Sequence, residues 1–157
     1  MRLIWIIVYL LTILAAAYKS HTNKQPVRKI VETIAVYSVV GMFFIAGIDK
    51  LIPPLNSTDA WGGSDTSRLV KIYPSVSQQL IAGLVIGGGL IELLGVWYTL
   101  NGYSGGDNTT KRVGVSILSV FTVAATLLMY ANPHVGVKKL AVISNINTIG
   151  GLLALWS

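Results

Sequence analysis

The residue with the most chemical potential in this chain is Glu92, which stands inside the otherwise uncharged apolar stretch GGGLIELLGVW, residues 87–97. A carboxyl at that depth in hydrocarbon costs about 3 kcal/mol or more unless it is neutral, paired or hydrated. Two roles are open to it. It can bind a proton or a ligand, or it can sit as a protonated or hydrogen-bonded carboxyl that fixes helix packing. Gly88, Glu92 and Gly95 follow one another at spacings of four and three, which places them on one helical face and turns the carboxyl toward protein rather than lipid.

Asp49 and Lys50 are the next candidates, at the end of an earlier apolar run. Such a pair can be a snorkelling lysine beside a solvated aspartate. Alternatively it forms a polar mouth that orders the following loop or receives a ligand headgroup. A Glu92–Lys50 ion pair would unite the two sites, but depth argues against it. If the third helix begins near Val76 on the side where the second ends, Glu92 lies about 24 Å along its axis, while Lys50 stays at the start. Thr33, Tyr37, Ser38, Ser116 and Ser119 match Glu92 better in depth, and a hydroxyl satisfies a carboxyl without a second buried charge. Asn145 and Asn147, two positions apart on a helix, cannot face the same partner. At least one is expected to make an interhelical hydrogen bond.

Several chemistries are excluded or disfavoured. The chain has no cysteine, so disulfides, thiolate metal sites and thiol redox chemistry are not available to it. His21 and His134 lie in connections on opposite faces of a five-helix arrangement, so they cannot share one metal or haem. Both lie outside the apolar runs, so no Ser-His-Asp set is recognisable. Gly87, Gly88 and Gly89 precede no Lys-Ser/Thr and are not a phosphate loop. With Gly83 and Gly95 they read as small residues for close helix packing.

The elements that must hold these residues are apolar helices. Hydrophobic residues make up 53% of the 157 and charged residues only 11%, against about 25% charged in a soluble domain. Mean hydropathy is +0.66. Five apolar runs, residues 3–18, 30–52, 76–100, 113–131 and 140–156, are separated by polar connections at 19–29, 53–73, 101–111 and around Asn132–Pro133–Gly136. None alternates as a barrel strand would. Pro53 and Pro54 stop the second run, while Pro74 and Ser75 open the third. The expected fold is an all-α integral membrane bundle that crosses the bilayer four or five times.

The first run has two readings. Met1 and Arg2 before an apolar core, with Ala15, Ala16 and Ala17 behind it, suit a signal segment; with Tyr18 and Lys19 it also suits a retained helix. The expected organisation is therefore residues 1–29 as a hydrophobic helix or signal segment with a basic linker, and residues 30–157 as the membrane domain.

The formal charge is +6, and the basic residues cluster at the ends of apolar runs. That placement suits anionic headgroups and topology setting, not the presented basic face of a nucleic-acid binder. The densest basic segment, Lys19, Lys24, Arg28 and Lys29, is expected in the cytoplasm, which puts the 53–73 loop outside, the 101–111 loop and Ser157 inside, and Asn56 where glycosylation can reach. Lys138 and Lys139 fall against the rule. Nothing in the sequence specifies which membrane it is.

The motif GMFFIAGIDKLIPP, residues 41–54, resembles the first-helix signature of the DoxX-like membrane family, in which a Phe and Ala-Gly stretch leads to Lys-Leu and a proline. GGGLIELLGVW is similar to that family's LIGGL-type sequence around a glutamate. The last two runs match in spacing rather than in specific residues, so the resemblance covers residues 29–156. It implies a four-helix bundle in which the family's Lys and Glu fall on Lys50 and Glu92, with the first run as an extra segment. The family's branches include membrane subunits of sulfur-compound oxidation and quinone reduction, components linked to redox stress, and endoplasmic-reticulum receptor chaperones. Fold alone does not choose among them.

The expected function is that of a multi-pass membrane protein acting as a non-catalytic accessory, assembly or chaperone-like component, with the bilayer and another membrane protein as partners and no cofactor. The resemblance implies an alternative, a membrane subunit of a quinone-linked oxidoreductase with quinone between the helices and Glu92 as proton acceptor. A small transporter is a third reading.

Overall fold

The computed structural model describes residues 2–51, 63–131 and 138–156. Among these residues every regular element is a helix: α1 (Arg2–Thr22), α2 (Val27–Leu51), α3 (Gly63–Ile72), α4 (Gln78–Gly105), α5 (Asn108–Met129) and α6 (Lys139–Ala154). By length and composition α2, α4 and α5 can each cross a bilayer, whereas Ile6–Thr22 of α1 and all of α6 are shorter apolar helices. The Pro53–Pro54 stop, Asn56, His134 and the Asn132–Pro133–Gly136 connection lie outside the described residues.

Helix α4 is the axis of the bundle, packed against α2 on one side and α5 on the other; α1 lies on α2 and α6 on α5. The interior has an apolar core around Val36, Val40, Phe43, Val96, Val115, Leu118 and Leu152, but the outside is apolar too, and small and polar residues share the interior. Leu84, Leu90, Leu94 and Trp97 of α4 face outward, while Gly89, Glu92, Gly95 and Thr99 are buried. Where lipid is the surrounding solvent, apolar burial drives nothing, and close backbone approach with internal hydrogen bonding holds helices together. The buried Thr99, Thr122 and Thr126 hydroxyls accordingly donate to backbone carbonyls one turn earlier.

Glycine is required where the helices touch. A Cβ on Gly114 would overlap Thr99 of α4, and one on Gly102 would overlap the backbone at Lys111 of α5. Gly41 receives the ring of Tyr9, whose hydroxyl donates to the Tyr37 carbonyl; this knob seats α1 on α2. Gly47 and Gly89 face each other, each Cβ position 3.0 Å from the other's carbonyl oxygen, and bring α2 and α4 together near Lys50.

Several boundaries differ from those expected. The 19–29 connection shrinks to residues 23–26, because α1 runs on to Thr22, taking in His21, and α2 starts at Val27. The 101–111 segment is mostly helix, because α4 runs on to Gly105 and α5 starts at Asn108. The turn itself is Gly106, with φ of 72°, followed by Asp107, whose carboxylate accepts from the Thr109 and Thr110 amides at 2.9 and 3.3 Å. Turn-forming residues at 101–105 are held helical by tertiary contact, since Gly102 abuts α5 and the Tyr103 hydroxyl meets Thr33 Oγ1 at 2.8 Å. The 53–73 connection is not wholly loop either, because its second half forms α3. At the start of α4, Ser77 rather than Pro74 or Ser75 is the cap, and its hydroxyl accepts from the Leu80 amide.

Candidate functional site

Glu92 and Lys50 meet. The Lys50 ammonium donates to Glu92 Oε2 at 2.7 Å, to the Ala46 carbonyl at 3.3 Å, and stands 3.7 Å from Asp65 on α3. The glutamate side chain is 5% exposed and the lysine 13%, so the pair is desolvated and the contact is structural currency rather than a screened surface bridge. This corrects the expectation that depth separates them, which assumed that α2 ends level with the start of α4. Gly47 and Gly89 are level instead, which sets the first residue of α4 about 10 Å beyond the end of α2 at 1.5 Å per residue. The segment containing α3 bridges that offset. Lys50 also folds back along its own helix toward Ala46, the direction in which helical side chains lean.

None of the hydroxyls matched to Glu92 by depth is its partner. Thr33 bonds Tyr103 and the Lys29 carbonyl, Ser116 bonds the Arg112 carbonyl, and Ser119 Oγ is buried without a hydrogen bond among the described residues. Asp49 is half-buried beside Lys50. Asn145 donates across to Thr126 Oγ1 of α5 at 2.8 Å, while Asn147 is exposed on α6.

Lys50 and Asp65 of the ion cluster line a cavity of about 460 Å³ between α4 and α5, bordered by α3. They are its charged lining; Leu84, Ile91, Phe121, Ala125 and Leu128 supply much of its apolar wall. Gly83 and Gly87, expected to pack helices, line this space instead, and no neighbouring atom lies within 4 Å of a Cβ at either. Their lack of a side chain is what leaves the room. A Cβ on Gly88 would come within 3.1 Å of the Phe121 ring and one on Gly95 would overlap the Leu118 side chain, so these two do lie at the α4–α5 contact. Helix α3 is tethered across the mouth by Asp65 to Lys50, by Arg68 over the Tyr130 ring at 4.3 Å, and by the Tyr73 hydroxyl to the Leu128 carbonyl at 3.4 Å.

Chemically, this is an almost wholly apolar cavity with Lys50 and Asp65 in its lining and Glu92 behind Lys50. It can take the body of a lipid-soluble molecule, with the Lys50 ammonium and the Asp65 carboxylate as its polar contacts. Among the described residues no group of three or more His, Asp or Glu is placed to hold a metal. Sequence reasoning singled out Glu92, Lys50 and Asp49 but missed Asp65, which lies in the polar connection; an acidic residue opening a short helix was its only signal. It also missed the packing glycines Gly47, Gly102 and Gly114, whereas Gly89, read as a packing residue, does meet Gly47. No known protein family, curated protein or solved structure matches the chain.

Proposed function

We propose that the chain is a multi-pass integral membrane protein that serves as a non-catalytic accessory component of a membrane complex and holds an amphipathic, lipid-soluble ligand between α4 and α5. The observation that carries this reading is the apolar cavity with Lys50 and Asp65 in its lining, the lysine paired behind it with buried Glu92. Buried charge in a membrane helix is costly and is retained where it meets a ligand or a partner. Lys19, Lys24, Arg28 and Lys29 around the α1–α2 connection, with Lys111 and Arg112 near the start of α5, favour a cytoplasmic position for that end of the bundle. Solvent extraction of protein purified in mild detergent tests it: wild type retains a lipid-soluble molecule at near-stoichiometric level, and Gly87→Leu, which fills the open space, folds but loses it. Equal extracts from the two proteins would sink the reading.

A second reading, the membrane subunit of a quinone-linked oxidoreductase within the DoxX-like family, is favoured by the polar lining of the cavity in particular. A quinone head could accept from the Lys50 ammonium, with Glu92 adjacent as a proton-holding group, and its tail would follow Phe121 and Leu128. Electrons would come from a separate redox partner. The two readings part on Glu92→Gln: impaired quinone reduction in the intact complex supports the second, and unchanged electron transfer with loss of a bound partner supports the first.

A further inference from the structure

At the other end of the bundle, between the start of α2, the start of α5 and the end of α6, lies a second cavity of about 550 Å³. Its charged and polar lining is Arg28, Glu32, Asn108 and Lys111, above an apolar floor that includes Val36 and Leu155. Lys111 is the informative member. It is 7% exposed, and among the described residues no hydrogen bond or ion pair reaches its ammonium. The acid in the cavity, Glu32, is engaged by Lys29 at 3.5 Å, and Lys29 also lies over the Tyr103 ring at 4.7 Å. The cavity thus holds two cations, Arg28 and Lys111, against one acid already shared with a third.

Lys111 is buried while its ammonium opens into the cavity, and a poorly solvated cation with no counter-charge among the described residues favours an anion there. The lysine is held in place because its backbone cannot retreat: Gly102 of α4 abuts the Lys111 main chain, and Gly114, Val115 and Leu118 on the same face of α5 are buried in the α4–α5 contact. Exposed Val27, Val31 and Val113 lie in sequence beside the lining residues, so an apolar surface adjoins the charged one. Basic pockets between membrane helices at the positive end of a bundle suit phosphate-bearing headgroups.

We infer that this cavity is a binding site for the phosphate of an anionic phospholipid, with Lys111 and Arg28 on the phosphate and the acyl chains along the outside of α2 and α5. The choice of a lipid over free phosphate rests on the membrane reading above. The site is separate from the α4–α5 cavity, so either can fail without the other.

The test is the thermal unfolding midpoint of the full chain in detergent, titrated with phosphatidylglycerol, with phosphatidylcholine and with inorganic phosphate, alongside native mass spectrometry of retained lipid. Phosphatidylglycerol is expected to raise the midpoint and to be retained, and phosphatidylcholine to do neither at the same concentration. Lys111→Met should weaken the phosphatidylglycerol response about fivefold to tenfold, yet melt close to wild type without lipid, because the side chain keeps most of its length and no hydrogen bond or ion pair among the described residues is lost. Lys111→Arg should keep the response. Arg28→Gln, at an exposed position, gives the same loss in a variant that has little effect on folding. An undiminished response in both Lys111→Met and Arg28→Gln would overturn the site; an equal response to inorganic phosphate would overturn its assignment to lipid.

Discussion

The two ends of the bundle treat buried charge in opposite ways. At the α3 end, Lys50 is clasped by Glu92 and Asp65, so the cation is answered by carboxylates of this chain, the three residues standing on three different helices. At the α1–α2 end, Lys111 is buried as deeply with no such clasp among the described residues. A charge that is answered internally holds helices in register. One that is not answered stays buried only because packing confines it, and it presents a demand that a ligand can meet. Depth of burial therefore does not by itself distinguish structure from function; the completeness of the partner set does.

The strongest way to break this contrast is to remove one partner at the balanced end. Lys50→Met leaves Glu92 buried without its cation and is expected to cost about 3–5 kcal/mol in denaturant unfolding from micelles, whereas Lys50→Met combined with Glu92→Met should lose far less than the sum of the single changes. A sum that is simply additive would mean that the pair is not coupled. Next in size are the glycines. Gly114→Ala and Gly102→Ala force α4 and α5 apart and should each cost about 1–3 kcal/mol, while Gly83→Ala, which enters open space, should be neutral or stabilising by up to about 1 kcal/mol through better helix propensity. Calorimetry or chemical unfolding ranks the three directly.

Smaller still is Asn145→Leu, which deletes the bond to Thr126 and should cost about 0.6 kcal/mol, while the same change at exposed Asn147 should cost less than that. The smallest effect is at the turn. Hydrogen bonds from the Thr110 hydroxyl and the Thr110 and Thr109 amides hold the Asp107 carboxyl below its ordinary range of about 3.8. A lowered folded value means that the carboxylate stabilises the α5 start at neutral pH, and that this contribution fades only as pH falls through the depressed value. An acid titration of helicity should show Asp107→Asn losing that acid-side slope and matching wild type more closely at the lowest pH.

The helices were legible in the sequence because apolar runs of bilayer length have few alternatives, and Gly106-Asp107 advertises a turn. Their ends were not. Asn101, Gly102, Tyr103, Ser104 and Gly105 have turn chemistry locally, yet contacts with α5 and Thr33 keep them helical. Helix α3 was hidden by its polarity, since it is held by Asp65, Arg68 and Tyr73 reaching to other helices rather than by an apolar stripe. The Lys50–Glu92 pair was hidden for a geometric reason. Depth along separate helices depends on where the chain re-enters the bundle, and a connection of unspecified path does not encode that. Lys111 looked like one more flanking cation, although its spacing from Gly114, Val115 and Leu118 puts it on the buried face of α5.

The contrast between the ends presumes that they lie on opposite sides of a membrane, and the absence of native cysteine makes that directly measurable. Single cysteines at exposed Ser104 and Thr109, and at exposed Lys71 and Gln79, can be labelled in intact cells with a membrane-impermeant maleimide before and after permeabilisation. We expect Lys71→Cys and Gln79→Cys to react in intact cells, and Ser104→Cys and Thr109→Cys only after the membrane is opened. Reaction of both pairs from the same side would contradict a bundle whose long helices cross the bilayer.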